Sequence, residues 1–371
     1  MNNKLKLSLI GAMLLSTTSA FATNGINQIG AGAKARGMGG VGIATDLKGE
    51  NAYSNPSMIT RTKTAYVNVG VNVFKADVSL DVAGSKMDSK YPVVALPSLS
   101  GVYAINESFF VGGSVYAAGG MGVDYTDDNS IEDSLALATI AVPLAYKYQG
   151  LSVGVTPLIK YGSLKMPDGT GSTVSSTDTG FGFEVGADYQ IDIDETSSIT
   201  VAGVYKSSVE LDYGKDVITT NANENSVLAT PSVIGVGVSA DVGSSTIALD
   251  YKRIGYGSAK GFEDLDWVDQ DVFAIGYQYS ADVWAVRAGF NYGASPIAAD
   301  EDNTFGSLFA FPGVTSTHYT VGGSYSINAN NEIDLGVVYG TGSQDLDITG
   351  LGKIEATNNQ MSGAVSYTYN F

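Results

Sequence analysis

The chain has 371 residues, no cysteine, one histidine and a net charge of −18 at pH 7. Such acidity repels phosphate backbones and excludes nucleic acid as a partner, and the absence of cysteine excludes disulfides. The single histidine, His318, leaves no second imidazole for a His-based metal site and no basis for a Ser-His-Asp triad without a nucleophile beside it, so neither a metal, nor a cofactor, nor enzymatic activity is expected.

The N-terminus carries Lys4 and Lys6, then the short apolar run "LSLIGAMLLSTTSA" and the small-residue site Ala20-Phe21-Ala22. This is the pattern of a secretory signal peptide over residues 1–22, cleaved near Ala22, and it predicts export. Just beyond it, Gly30-Ala31-Gly32-Ala33-Lys34-Ala35 satisfies the dinucleotide pattern G-x-G-x-x-[GA]. That fingerprint needs a hydrophobic strand before it and a helix after it. "TNGINQI" is a poor strand and "GMGGVGIAT" is too glycine-rich for a helix. The glycines instead predict a segment that packs closely against another backbone.

From residue 64 onward the chain alternates with period two. In "LSVGVTPLIKYG", Leu151, Val153, Val155, Ile159 and Tyr161 fall on one face, with Ser152, Gly154, Thr156 and Lys160 on the other. "STIALDYKR", "VWAVRAGFNY", "EIDLGVVYG" and the terminal "MSGAVSYTYNF" repeat the pattern, and the apolar face often ends in Tyr, Trp or Phe. Short connections, such as those at Asn106, Gln149, Asp241 and Asn328, alternate with long ones near 119–135, 163–179, 212–230, 257–267, 294–315 and 343–358. A soluble sandwich also alternates, but aromatic ends and alternating turn lengths belong to outer-membrane barrels. The expected strands are 64–74, 98–106, 108–118, 136–148, 151–163, 179–191, 197–211, 231–241, 245–256, 267–280, 283–293, 317–327, 331–342 and 359–371. The predicted fold is thus all-β, a transmembrane antiparallel β-barrel of about 14 strands spanning residues 64–371.

Residues 23–63 do not alternate, yet carry too few charges for a free tail. A segment of this length fits inside a barrel of this width, which predicts an N-terminal plug in the lumen. Asn55, Pro56 and Ser57 read as a turn where the plug leaves for the first strand. Ala118, Gly119 and Gly120 close the third expected strand, and a glycine pair there reads either as a kink or as a strand-to-loop transition. Lys160, Lys252 and Arg287 face inward by parity; each either meets an anionic ligand or pairs with inward acids such as Glu184, Asp188, Asp250 and Asp334. "LFAFPG" places Leu308, Phe309 and Phe311 in an outer loop, where an exposed apolar patch suits a first ligand contact. The acidic stretch around Asp124, Glu132 and Asp133 reads as a solvated outer loop, with cation bridging to lipopolysaccharide as the alternative.

The stretch "GAGAKARGMGGVGIATDLKGENAYSNPSMITR" resembles the plug of the FadL/TodX-type outer-membrane transporters, with Ser57 where that family has Ala. "LPSLSGVYAINESFFVGGSVYAAGG", "TGFGFEVGADYQID", "ITVAGVYKSSVELDYGKD", "ATPSVIGVGVSA" and "VWAVRAGFNYGASPI" resemble successive strands of the same family. The resemblance implies a monomeric transporter in the outer membrane of a Gram-negative bacterium, in contact with membrane lipid and lipopolysaccharide. It implies passive uptake of long-chain fatty acids, with loop capture, a lumen pocket and lateral exit at a kink in the third strand. Aromatic or aliphatic hydrocarbons are the alternative cargo, and a general diffusion porin the alternative function. The terminal Phe371, with Tyr369 and Tyr367 before it, looks like the signal read by the barrel-assembly machinery.

Overall fold

The computed structural model describes residues 23–126, 132–167, 172–215, 225–298, 304–348 and 352–371; the expected signal peptide lies outside them. The described strands, in chain order, begin with β1 (Ala65–Val82), β2 (Val94–Ala104), β3 (Phe109–Asp124) and β4 (Glu132–Ala141, resuming after Pro143 as Leu144–Tyr148). They continue with β5 (Leu151–Pro167), β6 (Thr173–Asp194), β7 (Ser197–Lys206), β8 (Ser232–Val242) and β9 (Ser245–Gly255). The last five are β10 (Gln270–Ser280), β11 (Trp284–Gly293), β12 (Thr317–Asn328), β13 (Asn331–Thr341) and β14 (Gly352–Asn370). Each pairs antiparallel with its neighbours, and β14 returns to β1, from Asn370 opposite Tyr66 to Ile354 opposite Val82. Closure leaves no free edge, as a backbone in lipid requires.

The period-two pattern sorts the faces as the sequence predicts. Leu151, Val153 and Val155 are exposed to the outside, while Ser152 and Thr156 are buried inside. Trp284, Val286 and Tyr292 point outward, opposite buried Arg287 and Asn291. An apolar outer face with a polar inner one is stable only in a membrane.

Strand extents differ from the sequence reading at the long-loop end. β1 runs on to Val82, β3 to Asp124 and β5 to Pro167, while β4 starts at Glu132, β6 at Thr173 and β14 at Gly352. Parts of the loops expected at 119–135, 163–179 and 343–358 are therefore strand. Above the bilayer the outer face no longer needs apolar residues, so alternation fades while hydrogen-bonded pairing continues. Two short strands, Ser85–Asp88 and Ser343–Ile348, lengthen hairpins there. β7 differs the other way, ending at Lys206 rather than 211. The chain beyond it folds inward, burying Val209 and Leu211 over Gly180, Gly182 and Gly162.

Residues 23–62 are largely buried and touch inward faces right round the barrel. A helical turn at Ala33–Gly37 packs on β11, β12, β13 and β14, and a 3-10 turn at Pro56–Arg61 on β3 to β6. Inward glycines of the strands receive this backbone. A Cβ on Gly289 would lie 2.2 Å from the Gly39 amide nitrogen, and one on Gly336 2.5 Å from the Ala33 oxygen. Gly39 itself has φ +71, a conformation that favours glycine.

Candidate functional site

A cavity of about 150 Å³ lies between the N-terminal segment and the inner faces of β3, β5, β7 and β9. Ile29, Val41, Ile43, Leu47, Val204 and Ile254 form its apolar wall. Three lysines, Lys160, Lys206 and Lys252, line the same space. Lys206 pairs with Glu184 at 3.1 Å and donates to the Tyr53 carbonyl at 3.1 Å. Lys252 donates to the Gly40 carbonyl at 2.9 Å. The Asp250 carboxylate beside it accepts the Gly42 and Ile43 amides at 2.8 and 3.1 Å. Lys160 has no ion pair or hydrogen bond among the described residues. Among the described residues, Lys160 and Lys252 thus have no carboxylate within ion-pair distance, and Lys160 has no hydrogen bond either, so an anionic group is the natural complement of the site.

Arg287, the third inward base singled out by parity, lies elsewhere. It donates to Gln278 at 2.6 Å and Ser324 at 2.7 Å and sits 3.8 Å from Asp334, beneath the Ala33–Gly37 turn. Lys206 was missed by the sequence reading, although inward parity in "TVAGVYK", with Ala202 and Val204, marks it.

One side of the cavity is Tyr116, Ala117 and Ala118 of β3. The register with β4 slips there: Ala117 faces Ala138 but Gly119 faces Leu137, so Ala118 is the extra residue of a bulge. Pairing between β2 and β3 ends at Ser98 opposite Tyr116, while β3 continues to Asp124. The N-terminal segment occupies this stretch. Asn27 bridges Gly119, the Gly120 amide donates to Ile26 O at 3.0 Å, and Gln28 Nε2 donates to Ala117 O at 2.7 Å. Gly120 has φ +151.

The turn residues form a clasp. Asn55 Nδ2 donates to Ile43 O at 2.7 Å, and Asn55 Oδ1 accepts from the Ser57 amide at 3.1 Å and its hydroxyl at 2.9 Å. Gly154 and Gly186 leave room for Pro56 and Asn55, where a Cβ would clash.

The exposed patch expected at Leu308, Phe309 and Phe311 is not found. Leu308 and Phe311 are buried, and Phe309 is partly buried against Tyr125 at 5.8 Å between ring centres. The chain forms a helix at Thr304–Ala310 that turns its apolar side down into the barrel mouth, because an apolar patch facing water is costly when an apolar rim lies beneath it. Asp133, read as part of a solvated loop, is likewise buried, facing the same cluster from β4. His318 is buried beside Gly340, with no hydrogen-bond partner for either ring nitrogen among the described residues.

Residues 244–371 match the family described as "Outer membrane protein transport protein (OMPP1/FadL/TodX)". The long-chain fatty acid transport protein of Escherichia coli (strain CFT073) is 23% identical over 437 aligned positions, covering 97% of this chain and 93% of that protein. The chain is similar to FadL/TodX-type proteins, over its last third by the family match and over nearly its whole length by the fatty acid transport protein. Solved relatives carry the same fold at low identity. A FadL homologue of Pseudomonas aeruginosa superposes with a TM-score of 0.73 at 16% identity, over 94% of this chain and 100% of that one. The toluene transporter TodX of P. putida does so with 0.68 at 16%, over 92% and 99%. The likeness to the solved structures shows the shared fold, a closed antiparallel β-barrel.

Proposed function

We propose that this barrel is of the FadL/TodX type and carries long-chain fatty acids across the outer membrane by passive diffusion. The observation that carries the reading is the cavity in which an apolar wall meets Lys160, an ammonium with no counter-charge in contact, beside Lys206 and Lys252. The acyl chain would lie along Ile29, Val41 and Ile254 and the carboxylate would meet the lysines. Burying the chain contributes roughly 0.8 kcal/mol per methylene.

Residues 23–63 act as a plug in this reading, after removal of a signal peptide over residues 1–22. The passage out of the cavity is sideways, at the β3 bulge around Ala118, Gly119 and Gly120, where β2 no longer pairs with β3. A lateral exit spares the acyl chain a return to water. The Thr304–Ala310 helix, with Phe311 after it, caps the route at the loop end, and its apolar contacts are the first that a ligand would replace.

Binding of labelled oleate to the folded barrel tests this, with toluene and hexadecane as competitors. Saturable oleate binding that falls at least about tenfold in Lys160→Ala is the expected result. Oleate binding that toluene displaces and that ignores Lys160→Ala moves the cargo to hydrocarbons. A large steady ion conductance with no binding of either ligand replaces the reading with a diffusion porin.

A further inference from the structure

The N-terminal segment is held in two different ways. From Ala33 onward it is fixed by ion pairs and by close backbone contact with the strands. Residues 24–28 pair with β3 at the bulge; Gln28 also accepts from Arg36, and the Asn24–Asn27 turn before it is held from the other side by one phenol. Tyr256 stands at the top of β9, and its hydroxyl accepts the Ile26 amide at 2.8 Å and Asn27 Nδ2 at 3.2 Å and donates to the Asn24 carbonyl at 2.8 Å. All the polar capacity of that oxygen is spent on this one turn. Burial pushes the pKa of the phenol up, so it stays neutral and donates as well as accepts.

The ring of Tyr256 belongs to the outer loops. It packs on Trp267 at 4.9 Å and Phe262 at 5.4 Å, and those two pack on each other at 4.7 Å. All three are buried in the cluster that also holds Leu308, Phe311, Ile26 and Met121 of β3. The loop is tied to its neighbours by the Trp267–Ile297 bridge and by Ser307 Oγ donating to Leu265 O at 2.6 Å. Tyr256 therefore supplies the hydrogen bonds that join the apolar lid to the turn at the β3 bulge, beside the apolar contact that Ile26 makes with the same cluster.

We propose that Tyr256 is the positioning residue that couples the outer loops to the passage beside β3. An apolar ligand that wedges among Trp267, Phe262 and Leu308 tilts the Tyr256 ring. The hydroxyl then lets go of Asn24–Asn27, and Ile26 loses its hold on Gly120. The cavity opens toward the unpaired stretch of β3 only when the loops are occupied, so the barrel does not leak when empty. This rests on the transport reading above for its ligand but not for its mechanics.

Amide hydrogen exchange of the folded full-length barrel in lipid nanodiscs, read residue by residue at Ile26 and Gly120, tests the coupling. Tyr256→Phe keeps the ring in the aromatic cluster and removes only the hydroxyl. The expected result is exchange at Gly120 accelerated about tenfold without ligand. Oleate accelerates Gly120 in the wild type and adds nothing in Tyr256→Phe. Asn27→Ala, which removes one of the three bonds and leaves Tyr256 untouched, gives a smaller acceleration at the same amide. A purely local role predicts faster exchange at Ile26, whose own acceptor is lost, with Gly120 unchanged in both variants; that result overturns the proposal. The ligand-free comparison stands apart from transport, so a barrel that binds no oleate overturns the fatty-acid reading and leaves this test to decide the coupling.

Discussion

Lys34 Nζ lies 2.8 Å from Asp334 Oδ2, and this ion pair joins the helical turn of the N-terminal segment to the inner face of β13. Glu332 stands 2.8 Å from the same ammonium, and Lys48 closes the group at 2.6 Å from Glu332. Lys34 and Asp334 are both buried. Removing one partner of a buried pair leaves the other charge uncompensated and costs about 3–5 kcal/mol. Lys34→Ala is expected to free this part of the segment without unfolding the barrel, whose strands pair independently of it. Planar-bilayer recording would show it as ion current through a barrel that is otherwise tight. A tight Lys34→Ala barrel would mean that the glycine contacts alone hold the segment.

Those glycine contacts make a second prediction. Gly289→Ala places a methyl 2.2 Å from the Gly39 nitrogen and 2.3 Å from the Met38 carbonyl carbon, backbone atoms that have nowhere to go. Overpacking of this kind costs about 1–3 kcal/mol. Gly363→Ala on β14 meets nothing within 4 Å and serves as the control. Denaturant midpoints of the refolded barrels should fall for the first and stay level for the second.

These contacts also mark what the sequence could and could not tell. Alternation fixes which residues of β5, β11 and β13 face lipid, because period two is a local property of the chain. The same parity reveals Lys160, Lys252 and Arg287 as inward. It does not reveal that Arg287 meets Asp334 while Lys160 meets no acid, because that depends on which strands stand side by side and on what the N-terminal segment covers. Leu308 and Phe311 were misjudged for a related reason. A short apolar run between glycines looks exposed in the sequence, and only the rim beneath it supplies the surface that buries it. Tyr256 carries no local signal at all, since its partners Asn24, Ile26 and Asn27 lie some 230 residues away.

Arg287 and Lys160 should separate cleanly in experiment. Arg287→Ala strips Asp334 of a neighbour and Gln278 and Ser324 of a donor, so it should lower barrel stability by about 1–3 kcal/mol. Arg287 lies outside the cavity and its loss should leave oleate affinity close to that of the wild type. Lys160→Ala removes no ion pair or hydrogen bond among the described residues and should do the reverse. Melting of the folded band on gels, set beside oleate titration, gives both readings on the same samples. Loss of affinity in Arg287→Ala at unchanged stability would place the carboxylate site at the other end of the segment.

Asn55 should be intolerant even of its closest relative. Asn55→Asp keeps an acceptor for Ser57 but turns a carboxylate oxygen toward the Ile43 carbonyl, where Nδ2 now donates at 2.7 Å. Two acceptors would then face each other in a buried site, and the charge would have no cation among its present hydrogen-bond partners. A loss of about 1–3 kcal/mol is expected, at least as large as in Asn55→Ala. Thermal melts of both variants decide the order.

The bulge at Ala118 gives the sharpest test of sideways exit. Ala117 faces Ala138 and Gly119 faces Leu137, so deleting Ala118 restores an unbroken register between β3 and β4. The later residues of β3 keep their partners on β4, Gly119 with Leu137 and Gly120 with Ala136, so their facing is kept while the local bend is lost. Without the bulge β3 runs straighter, and β2 can extend its pairing beyond Ser98. If cargo leaves between these strands, uptake of labelled oleate by cells carrying the deletion should fall to background. Ala118 lines the cavity, but Lys160, Lys206 and Lys252 all lie on other strands, so the purified deletion variant should keep saturable, if weaker, oleate binding. Binding without uptake would locate the exit at the bulge. Uptake that survives the deletion, with the straightened register verified by amide exchange, would direct the cargo down past the N-terminal segment to the short-turn end instead.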